Sequence, residues 1–121
     1  MKYNGRMDKE CIKLCDALNE IKGVETSESC CGHGVRPFSV WLKCDNSKQL
    51  FPLIRQISRN YANNDWHCEV ALTDMENRPI IFHLYSFNIG NEAYREADKI
   101  ADRILEFLKW DEVMEMFHIE R

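Results

Sequence analysis

The chain has 121 residues, 45% hydrophobic and 11% aromatic, with 5 Gly and 3 Pro, which excludes a disordered tail, a collagen-like repeat or a low-complexity linker. A chain of this length buries roughly two-thirds of its unfolded surface and needs no metal or disulfide staple for its core. Sixteen Lys and Arg against twenty Asp and Glu leave a net charge of -4, so no global basic field exists and nucleic acid is disfavoured as a partner.

In chain order, Met7, Cys11, Leu14, Cys15, Leu18 and Ile21 recur at helical spacing, with Asp8 placed to cap the helix and Gly23 to stop it. Cys11 and Cys15 lie on that apolar stripe and read as small core residues. Val24 to Cys31 reads as a strand running into a glycine loop, and Phe38 to Cys44 alternates as a second strand. Asp45-Asn46-Ser47 supplies capping groups for a helix carrying Leu50, Ile54, Ile57 and Tyr61, with Pro52 tolerated in its first turn. Asn63-Asn64-Asp65 closes that helix.

Trp66 to Thr73 and Pro79 to Phe87 form the next two strands, and their register follows from their apolar faces. Trp66, Cys68, Val70 and Leu72 share a core face with Ile80, Phe82 and Leu84 only if the loop has an odd number of residues. A three-residue loop at Met75-Glu76-Asn77 meets that condition. A final helix follows from Asn88–Asn91, burying Ala93, Ala97, Ile100, Ala101, Ile104 and Leu108, and Asp111 caps a short last helix carrying Val113, Met116 and Phe117. The order is αββαββα(α): one two-layer α+β domain over 1–121, with a four-stranded mixed or antiparallel sheet and helices packed on it. Residues 1–64 carry ten Lys/Arg and seven Asp/Glu, and residues 65–121 carry six and thirteen, so the acidic excess falls mainly on the last helix.

The stretch Val24 to Gly34 gathers thiol, imidazole, hydroxyl and carboxylate groups beside glycines that let a ligand approach the backbone. Thr26, Ser29, Cys30, Cys31, Gly32, His33, Gly34 and Arg36 are the first candidate ligand-binding residues. Leu18-Asn19, Gly23, Thr26 and Ser29-Cys30-Cys31-Gly32-His33 resemble the N-terminal segment of the wybutosine-synthesis methyltransferase family, over residues 14–44. The string Glu-Ser-Cys-Cys-Gly-His-Gly also resembles small proteins of bacteria and their phages, which would imply a phage or mobile-element association. Cys31 stands where the methyltransferases have serine, and His33 where they have arginine. The resemblance implies a related α+β scaffold first, and only second an S-adenosylmethionine-dependent RNA-modifying activity.

A second candidate face follows from the hairpin register. His67 and Glu69 point away from the core, as do His83 and Tyr85, so Glu69 faces His83 and His67 faces Tyr85 at about 5 Å. Trp41 lies on the outward face of its own strand. This patch suits proton relay, ring stacking or a dimer contact through Trp41, Ile81 and Tyr85. No metal is expected: Cys-x-x-Cys and His-x-x-x-His spacings are absent, and neighbouring cysteines in a strand point to opposite faces.

Met1 to Glu10 has no apolar core or small-residue cleavage site, and no run approaches the ~18 apolar residues of a membrane span. The expectation is a cytoplasmic protein without membrane association, its six cysteines free thiols. The functional expectation is a ligand-binding or accessory domain whose turn takes a small anionic or nucleotide-like ligand. Backbone N–H groups, His33 and Arg36 would favour negative charge there. A thiol-based enzyme using Cys30 or Cys31 with His33 is the enzymatic alternative and requires a thiol of lowered pKa. A homodimeric interaction module is the third reading.

Overall fold

A computed structural model describes residues 7–59, 65–72 and 79–116. Among these, α1 (Lys9–Asn19), α2 (Phe51–Arg59) and α3 (Gly90–Met116) pack on a four-stranded antiparallel sheet of β1 (Glu25–Cys30), β2 (Ser39–Cys44), β3 (Trp66–Leu72) and β4 (Ile80–Ser86). The strand order is β1-β2-β4-β3, so two hairpins meet along the β2–β4 seam. This is the two-layer α+β architecture that the periodicity predicts, with the sheet wholly antiparallel. No helix among the described residues is long and apolar enough to cross a membrane.

Strand alternation sorts side chains onto two faces. Val40, Leu42, Cys44, Phe82, Leu84 and Trp66 are buried toward the helices, where Leu14, Leu18, Leu53, Ala97, Ile100 and Ile104 complete the core. Their neighbours Trp41, Lys43, Ile81, His83, Tyr85 and His67 form the opposite face, which no helix among the described residues covers. A bulge between Thr26 and Glu28 inserts one residue into β1. Thr26 and Ser29 therefore both pair with core-facing residues of β2, while Glu28 and Cys30 fall opposite outward-facing Trp41 and Ser39.

Four expectations need correction. The helix after Gly90 is continuous to Met116, with Asp111 in its interior rather than capping a separate helix. No Gly or Pro follows Gly90, and an interior Asp costs only about 0.7 kcal/mol relative to Ala. On α2 Leu53, Gln56 and Ile57 turn inward, and Ile54 is exposed. Val70 pairs with Phe82 as predicted but is 55% exposed, because β3 is an edge strand and a second bulge follows Val70. At Asp8 the backbone does turn into α1, yet its side chain makes no capping bond to that helix. The expected loop at Met75–Asn77, and Tyr61, Asn63, Asn64 and Phe117, lie outside the described residues.

Candidate functional site

The turn after β1 is built from backbone that only special residues accept. Gly32, His33 and Gly34 all have positive φ, at 82°, 52° and 82°. His33 is the costly one, since a left-handed conformation is uncommon for a residue with a Cβ. Its backbone bends the imidazole back over the preceding cysteine, with Cys31 Sγ and His33 Nδ1 3.8 Å apart. His33 Nε2 lies 3.8 Å from Asp8 Oδ2, and that same carboxylate oxygen accepts the Cys31 N–H at 3.0 Å. Asp8 thus joins the turn from 23 residues upstream. The Cys31 N–H bond, chiefly, holds the Asp8 carboxyl below its ordinary range.

Cys31 is 3% exposed, and burial pushes its thiol up. The Tyr94 hydroxyl, from the first turns of α3, hydrogen-bonds Cys31 and the Gly34 backbone. A raised thiol is the opposite of what a nucleophilic thiolate needs. The thiol-based reading of Cys31 and His33 gains no support from this electrostatics.

The predicted residues of the turn divide. Cys31, Gly32, His33 and Gly34 form one cluster. Thr26 faces the helix layer, where its N–H donates to Asn19 Oδ1 and its hydroxyl accepts from Asn19 Nδ2, each at 2.9 Å. Ser29 also points inward and hydrogen-bonds the Cys11 and Cys15 thiols. Cys30 sits on the outward side of β1, accepting the Gly32 N–H at 3.4 Å. Asn19 and Thr26, which carry part of the family resemblance, therefore tie α1 to β1 through these bonds.

The donors expected to bind an anion are already committed. The Cys31 N–H goes to Asp8, those of Gly32 and His33 to the Cys30 and Cys31 sulfurs, and those of Val35 and Arg36 to the Gly32 carbonyl. Arg36 itself is exposed. With the Asp8 carboxylate also at its centre, the turn lacks the free N–H concavity on which anion binding was expected.

The uncovered sheet face keeps the predicted register: His67 pairs with Tyr85 and Glu69 with His83. The contacts run diagonally as well, since the Tyr85 hydroxyl donates to Glu69 Oε1 at 2.7 Å. Trp41 and His83 stack with centroids 4.0 Å apart and planes 6° apart. Tyr85 continues the row at 4.8 Å from His83 and 5.8 Å from His67, and Phe87 closes it against His67 at 4.6 Å. Burial under these rings pushes the His83 imidazole down, with the Glu69 carboxylate pulling the other way, and His83 Nε2 is buried without a hydrogen-bond partner among the described residues. On the β1 side of Trp41 lies a cavity of about 230 Å³ lined by Ser27, Glu28, Trp41 and Ile81. Sequence reasoning placed Trp41 outward but missed Phe87, Ser27 and Glu28, because the β1 bulge that brings Glu28 opposite Trp41 has no local sequence signature. A larger concavity of about 680 Å³ lies at Asp16, Asn19, Glu20 and Gly23–Glu25, but its one amide side chain, Asn19, is already bonded to Cys15 and Thr26.

No protein-family model, curated protein or solved structure matches this chain.

Proposed function

We propose that the protein is a small binding domain that receives a planar, cationic ring against the open side of Trp41. One observation carries this reading: the Trp41 indole, stacked on His83 at 4.0 Å, also lines the 230 Å³ cavity together with Ser27, Glu28 and Ile81. A site of that size suits a single ring rather than a dinucleotide. The stack beneath fixes the indole, so little side-chain entropy is lost on binding. Charge selects the ligand. Lys43 is paired with Glu25 at 3.2 Å and Glu69 holds Tyr85, which leaves the Glu28 carboxylate as the charged group lining the cavity among the described residues. A cation over an indole beside a carboxylate is favoured, and a phosphate there is repelled. This replaces the anionic ligand expected at the turn and keeps the broader expectation of a ligand-binding domain.

Three probes of one ring system test it by calorimetry: 1-methylnicotinamide as cation, nicotinamide as neutral ring and nicotinic acid as anion. Affinity should fall in that order, and Trp41→Ala should weaken the cation about tenfold, matching roughly 1.4 kcal/mol of cation–π attraction. Equal or inverted affinities contradict the proposal. Concentration-dependent sedimentation that Trp41→Ala abolishes would instead make the face a contact between two copies of the chain.

A further inference from the structure

The turn and its upstream aspartate carry a second inference, independent of the sheet face. One carboxylate oxygen of Asp8, the sulfur of Cys31 and one ring nitrogen of His33 all lie within 4.8 Å of one another. Tetrahedral donors at bond lengths of about 2.0–2.3 Å sit about 3.4–3.7 Å apart. The Cys31–His33 separation of 3.8 Å is already close to that. The His33 side chain is 67% exposed and free to rotate the remaining distance, while Cys31 and Asp8 are held from several directions. We infer that Asp8, Cys31 and His33 form a three-ligand site for a borderline divalent transition metal such as zinc or cobalt.

Three features support that chemistry over the alternatives. The donor set mixes thiolate, imidazole and carboxylate, which favours zinc-like ions over magnesium or calcium. Two of the three donors bind as anions, so they neutralise a doubly charged ion in a place where burial would make any residual charge costly. On binding, the sulfur–metal bond forms and the thiol proton leaves to solvent, which turns a buried neutral group into a ligand. The supporting partners are also present. The His33 N–H donates to the Cys31 sulfur at 3.4 Å, and the Tyr94 hydroxyl bonds the same thiol. Such partners orient ligands and tune their basicity. Three protein donors leave a fourth position for water or a small ligand, as in open rather than closed zinc sites. Cys30 is excluded from the set because it lies on the other side of β1.

The test is a cobalt(II) titration of the reduced full chain, followed by the sulfur-to-cobalt charge-transfer band and by zinc competition. One equivalent should saturate the band. Cys31→Ser should abolish it, and Asp8→Asn and His33→Asn should each weaken binding about tenfold or more. Asparagine is chosen at His33 because it tolerates the left-handed backbone there, so a folding defect is avoided. Cys30→Ser should bind as the parent does. The inference is overturned if no saturable band forms, if Cys31→Ser retains it, or if His33→Asn and Asp8→Asn bind unchanged, the sign of adventitious thiol binding. Should Cys31→Ser fail to fold, the His33→Asn result decides alone.

Discussion

The turn at Cys31–Arg36 and the open face of the sheet both concentrate rings, thiols and carboxylates, yet they treat them in opposite ways. In the turn, polar groups are spent on one another: five successive or near-successive N–H groups reach Asp8, two sulfurs and a carbonyl. What remains is a small cluster of metal-competent donors, the buried Cys31 thiol beside the half-buried Asp8 and the exposed His33. On the sheet face the rings lean on one another, while Trp41 and its neighbouring Glu28 line an open cavity. A glycine-rich segment beside reactive side chains is therefore not by itself an anion site. What matters is where its N–H groups point after folding.

Substitutions can break or sharpen this contrast, and the largest effect should come from the inward side of the same strand that carries the rings. Leu84 is fully buried, so Leu84→Ala should cost about 2–5 kcal/mol in urea denaturation. In the turn, Gly32→Ala should cost about 1–3 kcal/mol, since its Cβ would meet the Pro37 carbonyl oxygen at 3.0 Å on a left-handed backbone. Gly34→Ala should cost less, about 1–2 kcal/mol, because a Cβ there meets nothing within 4 Å and only the backbone is strained. Equal losses at the two glycines would contradict the tight packing of Gly32 against Pro37. On the open face, Tyr85→Phe removes one exposed hydrogen bond to Glu69 and should leave the urea midpoint nearly unchanged.

The smallest effect is a pH dependence. His83, packed between Trp41 and Tyr85 and facing Glu69, has its imidazole pushed down by burial. The unfolded chain takes up this proton near pH 6.5 while the folded chain resists it. Stability contributed by His83 is thus present above about pH 6.5 and declines as the pH falls below it. Thermal melts from pH 7.5 to 5 should show a shallower decline in His83→Gln than in the parent. An identical slope would mean that His83 is not shielded beneath the rings.

Much of the open face was legible in the sequence because strand periodicity is local and strict. Once Trp66, Cys68, Phe82 and Leu84 were set inward, the pairing of His67 with Tyr85 and Glu69 with His83 followed. The helices were legible in position but not in every detail. Asp45-Asn46-Ser47 reads as capping, whereas the box closes with Gln49, which accepts from the N–H groups of Asp45 and Asn46. The unbroken run of α3 and the inward Leu53 of α2 were missed. The metal-competent cluster was not. Asp8 looks like an ordinary helix cap, and nothing in its neighbours says that its carboxylate turns to a loop 23 residues away. The inward turn of Thr26 and Ser29 was hidden as well. Alternation alone would put them on opposite faces, and the bulge that reunites them is a tertiary feature. Val70 shows the same limit, since its exposure depends on β3 lying at the sheet edge.

The binding role proposed for the open face can be tested most directly from the three indole N–H resonances of the intact protein during titration with 1-methylnicotinamide. Trp66 is buried and bonded to Glu96, and Trp110 is 62% exposed on α3, so the second reports indiscriminate stacking on any accessible indole. The Trp41 resonance should shift and saturate while Trp66 and Trp110 stay in place. Movement of Trp110 with a stationary Trp41, or no saturable shift at Trp41, would contradict the assignment of this face as the ligand site.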